Sequence, residues 1–130
     1  MIVLDASAAV EWLLQTPAGQ RIEERIYSRP ETLHSVHLLD VEVAQVLRRL
    51  ARERTVAPAR AEQAIEDLAA LRITRYAPML LLPRIWRLRQ NFSAYDAAYV
   101  ALAEELQAPL ITRDRRLAAA PGHAAAVEVF

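Results

Sequence analysis

Short apolar runs alternate along this chain with longer stretches in which apolar residues recur every three or four positions. The short runs predict buried strands at 2–5, 32–36, 73–76, 109–112 and 127–130. The three-to-four spacing predicts amphipathic helices at 7–15, 18–28, 38–54, 58–71, 78–91, 93–107 and 114–119. Proline near the start of several of these stretches supports the boundaries, because proline is tolerated in the first turn of a helix.

Strands that alternate with helices indicate an α/β fold, with a mainly parallel central sheet flanked by helices on both faces. A chain of 130 residues is long enough for one hydrophobic core and too short for two, so we predict a single domain over 1–130. In such sheets the ligand site lies outside the C-terminal ends of the strands, where the strand order reverses.

The helical spacing also predicts which side chains are buried. The inward faces of 38–54 and 58–71 comprise Leu39, Val43, Val46, Leu47, Leu50, Ala61, Ala64, Ile65, Leu68 and Leu71. Trp12, Trp86 and the segment 79–82 have apolar neighbours, so we expect core burial for most of these side chains, with a partner interface as the alternative.

The composition excludes several classes of protein. Apolar residues make up 54% of the chain, which argues against disorder, and no apolar run approaches the roughly 18 residues of a membrane span. The absence of cysteine excludes disulfides, thiolate metal sites and cysteine nucleophiles. The chain starts directly with a strand pattern and without a basic leader, so we expect a cytoplasmic protein with no membrane attachment.

The charge balance gives no overall support for nucleic-acid binding, because 16 basic and 16 acidic residues cancel. All the basic residues are arginine, whose planar guanidinium can bind two phosphate oxygens at once. Clusters at 48–49 and 113–116 could therefore contact phosphate, although each is also typical of a solvated helix face.

Four acidic motifs carry the candidate chemistry. Asp5 ends the first strand, Asp114 lies two residues beyond strand 109–112, and Asp96 lies in the first turn of the helix before that strand. Glu42 lies on the border of a buried helix face. If the fold brings them together, two such charges about 4 Å apart repel by roughly 4 kcal/mol. Mg²⁺ or Mn²⁺, which suit carboxylate oxygens, would offset that repulsion.

Each acid also has a purely structural interpretation. Asp5 and Asp114 can cap the helices that follow them, and Ser93 with Asp96 fits the capping-box pattern. Glu42 can simply face solvent. Taken singly, these structural roles are favoured; taken together with the topology, a shared metal site is favoured.

Two hydroxyl residues lie near these acids. Ser7 and Thr112 are each two positions from an acid of the motifs, and each can orient a carboxylate or a water, with helix capping as the equal alternative. The three histidines, His34, His37 and His123, are scattered without the spacing of zinc ligands.

With these motifs in place, the chain resembles PIN-domain proteins, and specifically the VapC-type toxins of bacterial toxin–antitoxin pairs. The resemblance spans nearly the full length and rests on segments 2–8, 42–50, 95–104 and 110–117, in order and at family-like separations. One departure is the segment 35–37, where many relatives have a small residue followed by proline before the helix that carries the glutamate.

The resemblance implies a single PIN-like domain and a Mg²⁺- or Mn²⁺-dependent endoribonuclease, with Asp5, Glu42, Asp96 and Asp114 as its site residues. It also implies an RNA substrate, a homodimer and a cognate VapB-type antitoxin that covers the active-site groove. Metal-activated water requires no protein nucleophile, which agrees with the absence of cysteine.

Two other functions compete with this interpretation. A PIN-like module that binds RNA or a partner without cleaving would be favoured by a missing acid, and none is missing. A phosphatase or phosphotransfer receiver also uses an aspartate after its first strand. Against the phosphatase, the residue two positions after Asp5 is Ser7 rather than a second aspartate, and against the receiver, the chain contains no lysine.

Overall fold

The centre of the molecule is a five-stranded sheet in which every strand pairs with its neighbours in parallel. The computed structural model describes all 130 residues. The strands are β1 (Ile2–Leu4), β2 (Leu33–Val36), β3 (Ile73–Tyr76), β4 (Leu110–Thr112) and β5 (Val127–Val129), in the order β3-β2-β1-β4-β5. The predicted α/β class is therefore confirmed, and the sheet is wholly rather than mainly parallel.

Helices connect all the strands. They are α1 (Ala6–Leu14), α2 (Pro17–Tyr27), α3 (Leu38–Arg52), α4 (Pro58–Ala70), α5 (Leu82–Arg87), α6 (Ala94–Leu106) and α7 (Arg115–Ala119), with a 3₁₀ turn at Pro78–Leu81 before α5. None of them combines the length and the apolar character that a membrane span requires.

The connections place these helices in two layers. The chain passes from β1 through β2 to β3 in one direction and then returns across β1 to β4 and β5. Parallel crossovers are right-handed, so the helices of the two directions cover opposite faces of the sheet. Accordingly α1 packs on α2, α3 and α4, whereas α6 packs on α5 and on strands β1, β2 and β4. The strand order reverses between β1 and β4.

One continuous core lies between the layers. The three residues of β1 are completely buried, as are Leu110 and Ile111 of β4, which is typical of parallel strands covered on both faces. The inward faces predicted for α3 and α4 are confirmed with one exception. Ile65 is 39% exposed, because it lies at the edge of the α4 stripe rather than at its centre.

The segment predicted as one helix over 78–91 is divided. Pro83 has no backbone N–H, so it cannot continue the hydrogen bonding of the preceding turn, and a regular helix begins only at Leu82 and ends at Arg87. The expected burial of 79–82 is wrong for most of its side chains, since only Leu81 is buried. Of the two tryptophans expected in the core or at an interface, Trp12 is buried, whereas Trp86 is 67% exposed and lies outside the core.

Candidate active site

All four predicted acids line one cavity of about 300 Å³. The cavity lies at the C-terminal edge of the sheet, where β1 and β4 lie side by side and the strand order reverses. Its wall is completed by Ala6, Ser7, Gln45, Val46 and Tyr99. Acids that are up to 109 positions apart in the sequence, from Asp5 to Asp114, therefore share one enclosure.

Asp5 is buried at the end of β1 and is held by three donors. It is the N-cap of α1, because its Oδ1 accepts the backbone N–H of Ala8 at 2.9 Å. The same oxygen accepts the Ser7 hydroxyl at 2.7 Å, and Oδ2 accepts the Thr112 hydroxyl. The capping role and the site position predicted for Asp5 thus coexist in one side chain.

The two hydroxyls tie Asp5 to the loop after β4. Ser7 Oγ accepts the backbone N–H of Arg113 at 2.9 Å, and Thr112 Oγ1 accepts the backbone N–H of Asp114 at 3.0 Å. Each hydroxyl therefore donates to Asp5 and accepts from the loop that carries Asp114. Ser7 and Thr112 fix the orientation of one acid and the backbone position of another.

Glu42 extends from α3 into the cavity and has one bonded partner, Tyr99 of α6. The Tyr99 hydroxyl donates to Glu42 Oε2 at 3.0 Å across a sequence separation of 57 residues. The tyrosine ring is almost fully buried, so it holds the glutamate at a defined position between the two helical layers.

Asp96 lies in the first turn of α6, as predicted. Ser93 is the N-cap of this helix, and its hydroxyl accepts the backbone N–H of Asp96 at 3.1 Å. This is the first of the two bonds of a capping box; the return bond from the Ser93 backbone N–H to the Asp96 carboxylate is not formed. The Asp96 carboxylate is therefore not consumed by helix capping and lines the cavity.

Asp114 caps the short helix α7 and forms the only ion pair among the four acids. Its Oδ1 accepts the backbone N–H of Arg116 at 2.9 Å, and the Arg116 guanidinium bonds both carboxylate oxygens, with Nε–Oδ1 at 3.0 Å and Nη2–Oδ2 at 2.8 Å. This pairing holds the pKa of Asp114 below its usual range.

The pKa values of the other three acids are shifted in the opposite direction. Burial raises the pKa of Asp5, of Glu42 and of Asp96. Like charge adds to the effect: Asp96 raises the pKa of both Asp5 and Glu42, and Asp114 raises that of Asp96. No arginine or histidine forms an ion pair with any of the three. Uncompensated carboxylates in one enclosure are costly in a folded protein.

The donors around the cavity are those that a hard divalent cation prefers. Four carboxylates, the hydroxyls of Ser7 and Tyr99 and the amide of Gln45 surround it, with no sulfur and no imidazole. The chemistry of the set therefore fits Mg²⁺ or Mn²⁺ rather than zinc or copper. In the present arrangement no three acidic or histidine side chains form a group able to hold a metal ion.

Three polar or charged residues of the cavity or its rim, Gln45, Tyr99 and Arg116, were not among the predicted site residues. Tyr99 lies three positions after Asp96 and Gln45 three positions after Glu42, so helical spacing already placed each beside an acid. Arg116 lies two positions after Asp114 within a predicted arginine cluster. The sequence offered no signal that Tyr99 would bond Glu42, because that contact joins two different helices.

Residues 2–122 match the family model of the PIN domain. The chain belongs to the PIN-domain family.

Its relatives within the family are VapC proteins. The chain is 44% identical over 117 residues to VapC ribonuclease Mb0985 of Mycobacterium bovis, covering 90% of this chain and 88% of that one. It is 40% identical over 129 residues to ribonuclease VapC12 of Mycobacterium tuberculosis, covering 99% and 98%.

Solved structures share the fold. PAE2754 from Pyrobaculum aerophilum superposes with a TM-score of 0.73 at 25% identity, over 98% of this chain and 83% of that one. Mycobacterium tuberculosis VapC20, a toxin that cleaves the sarcin–ricin loop, superposes with a TM-score of 0.68 at 15% identity, over 92% and 94%.

Proposed function

We propose that this protein is a Mg²⁺- or Mn²⁺-dependent endoribonuclease and the toxin of a VapBC-type toxin–antitoxin pair. The observation that carries the proposal is the convergence of Asp5, Glu42, Asp96 and Asp114 on one cavity at the reversal point of the sheet. Relatives at 40–44% identity that bear the name ribonuclease support the same activity.

The four acids would hold the cation. When bound, a divalent cation supplies an activated water and offsets the charge that develops on the phosphate. The raised pKa values of three of the acids support a cation in this cavity, because a positive charge would stabilise the ionised carboxylates.

The residues around the acids perform positioning. Ser7 and the Ala8 backbone bond Asp5 Oδ1, and Thr112 bonds Oδ2, so the carboxylate is held in one orientation with a lone pair of Oδ2 left free. Tyr99 occupies one oxygen of Glu42 and leaves Oε1 free. Such supporting bonds fix the orientation of the atoms that hold a metal.

Cleavage of RNA in the presence and absence of metal tests the activity. We expect the purified protein to cut total RNA with Mg²⁺ or Mn²⁺ and to be inactive in EDTA. The same cations should raise the melting temperature, because a ligand that binds only the folded state stabilises it. Absence of binding in calorimetric titration with millimolar Mg²⁺ and Mn²⁺ would contradict the proposal and favour a non-catalytic binding module.

A VapB-type antitoxin and a second copy of the chain are the proposed protein partners. Solved relatives of the same fold include VapBC2 of Rickettsia felis bound to promoter DNA, with a TM-score of 0.67 at 14% identity. For the homodimer, the support is the segment 79–86, in which four large apolar side chains, Met79, Leu80, Leu82 and Trp86, are exposed, since clustered exposed apolar residues mark interaction sites.

Light scattering coupled to size-exclusion chromatography tests the dimer. We expect twice the monomer mass for the wild-type chain and a monomer for Leu80→Asp, because a charge cannot be buried in an apolar interface without large cost. Leu80 is 86% exposed, so the substitution should leave the fold intact. A wild-type monomer at micromolar concentration would contradict the dimer without affecting the proposed activity.

A further inference from the structure

The Arg116 side chain is held in place only by its ion pair with Asp114. Arg116 gives both its Nε and its Nη2 to the two carboxylate oxygens and makes no other side-chain contact of hydrogen-bonding or ionic type. The guanidinium side chain is 89% exposed. An exposed pair of this kind is weak and exchanges readily.

Arg116 differs from the two neighbouring arginines, Arg113 and Arg115. Arg113 is already engaged, since its guanidinium donates to the backbone carbonyl of Phe130 and faces Glu11 at 3.8 Å. Arg115 is exposed and forms no ion pair. Arg116 is the one arginine of the molecule that pairs with an acid lining the cavity.

The Arg116 guanidinium competes with any cation in the cavity for the carboxylate of Asp114. Both oxygens of Asp114 are bonded to Arg116, and the acids do not form a metal-holding group in this arrangement. A cation that used the lone pairs of Asp114 now bonded to Arg116 would displace the guanidinium. The displaced guanidinium would remain at the rim of the cavity, where its planar fork suits the two oxygens of a phosphate.

We propose that Arg116 is an exchangeable counter-ion: it neutralises Asp114 in the metal-free protein and, once released, binds a phosphate of the RNA at the rim of the site. This assignment rests on the proposed function. It makes Arg116 a substrate-binding residue whose availability depends on the state of Asp114.

A binding cycle in EDTA tests the proposal without cleavage. Asp114→Asn breaks the ion pair without metal, so Arg116 becomes free and RNA affinity, measured by fluorescence anisotropy, should rise about two- to fivefold, the range expected for an exposed ion pair. The gain should disappear in Asp114→Asn/Arg116→Gln and persist in Asp114→Asn/Arg115→Gln. A gain that survives both double substitutions overturns the proposal, because removal of one negative charge would then explain the whole effect. The absence of any gain in Asp114→Asn also overturns it, because the freed Arg116 would then add no contact to RNA.

Calorimetric titration with Mn²⁺ alone provides the second measurement. Arg116→Gln should tighten Mn²⁺ binding relative to the wild type, and Arg115→Gln, which removes the same charge one residue away, should tighten it less. Equal changes in the two variants overturn the exchange.

Wild-type activity separates failure of this proposal from failure of the proposed function. If the wild-type protein cleaves RNA with Mn²⁺ while the cycle and the titration show no difference between Arg115 and Arg116, only the counter-ion exchange is wrong. If the wild-type protein neither binds nor cleaves RNA, the proposed function fails and this proposal fails with it.

Discussion

The two ends of helix α6 carry partly buried acids whose pKa values are shifted in opposite directions. Asp96, in the first turn, lies in the cavity beside other carboxylates, and its pKa is raised by burial and by Asp114. Glu104, in the last turn, is paired with Arg84 at 2.7 Å and accepts the backbone N–H of Ala124, and its pKa is lowered chiefly by Arg84. One helix thus contains both a compensated and an uncompensated carboxylate.

The helix dipole alone would lower the pKa of Asp96 and raise the pKa of Glu104. The positive N-terminal end favours an ionised acid in the first turn, and the negative C-terminal end disfavours one in the last turn. Burial and Asp114 raise the pKa of Asp96, and Arg84 lowers the pKa of Glu104, so the surroundings of both acids act against the direction of the dipole. At the C-terminal end of α6 the ion pair of Glu104 with Arg84 stabilises the fold. At the N-terminal end, which we call the cavity end, no ion pair neutralises Asp96.

Removal of the charge at the cavity end should have the largest effect. Asp96→Asn preserves size and the backbone bond to Ser93, so the fold should remain while RNA cleavage falls by more than about 100-fold, beyond the roughly 10–100-fold typical of supporting residues of a metal site. Thermal melts and cleavage assays on the same samples check this outcome.

The matched control is Asp67→Asn, on α4 and away from the cavity, whose carboxylate bonds only Gln63. It should leave cleavage unchanged. Asp40→Asn should also spare cleavage, although it is a poorer control for stability because Arg75 bonds both Asp40 oxygens. Wild-type cleavage by well-folded Asp96→Asn protein would refute the four-acid site.

Loss of the Tyr99 hydroxyl should lower RNA cleavage without changing the charge of the cavity. Tyr99→Phe keeps the buried ring but removes the bond to Glu42, so we expect cleavage to fall about 10-fold. The bond lowers the pKa of Glu42, so its loss should raise that pKa further and make the defect larger at acidic pH. Tyr95→Phe, at an exposed position of the same helix, should behave as wild type at every pH. A pH-independent defect in Tyr99→Phe would argue for a packing role only.

Removal of the ion-paired charge of Glu104 should lower the stability of the fold and leave RNA cleavage nearly unchanged. Glu104→Gln breaks the pair with Arg84 and should lower the free energy of unfolding by about 1 kcal/mol, a value discounted because the Arg84 side chain is partly exposed. Chemical denaturation measures the loss. Cleavage should remain within about twofold of wild type, since a small stability change leaves the protein folded. A large loss of cleavage in a folded variant would mean that the two ends of α6 are not functionally separate.

The smallest effect should appear in the pH dependence of stability in EDTA. Because the folded-state pKa values of Asp5, Glu42 and Asp96 are raised, the folded state binds more protons than the unfolded one. Their contribution to stability is therefore present below the usual carboxyl pKa and is lost as the pH rises through the raised values. Asp96→Asn removes one of these three acids. The melting temperature of the variant should therefore exceed that of wild type by a margin that grows as the pH rises and reaches the order of a few degrees.

Scanning calorimetry of both proteins from acidic to neutral pH checks that margin. The pH dependence from acids that Asp96 does not influence cancels in the difference between the two proteins, and the difference reports Asp96 together with its effect on Asp5 and Glu42. A margin that stays constant or shrinks as the pH rises would show that Asp96 is not repelled in the folded state.

Much of the site could be predicted because its parts are local. An acid directly after a buried strand, as at Asp5, or at the start of a helix, as at Asp96 and Asp114, is visible in a few consecutive residues. The parallel α/β topology then places such positions at one edge of the sheet. The failure over 78–91 has a local cause as well, because Pro83 interrupts a helix whose apolar residues alone predicted continuity.

What only the tertiary structure decided is which distant side chains meet. The amino-acid sequence by itself determined the strands, the helix caps, the fold class and the acidic positions, since each depends on neighbours within one or two turns. It did not determine that Tyr99 would bond Glu42 or that Thr112 would bond Asp5 across 107 positions. Such contacts depend on strand order and on the packing of two helical layers, for which periodicity along one segment carries no information.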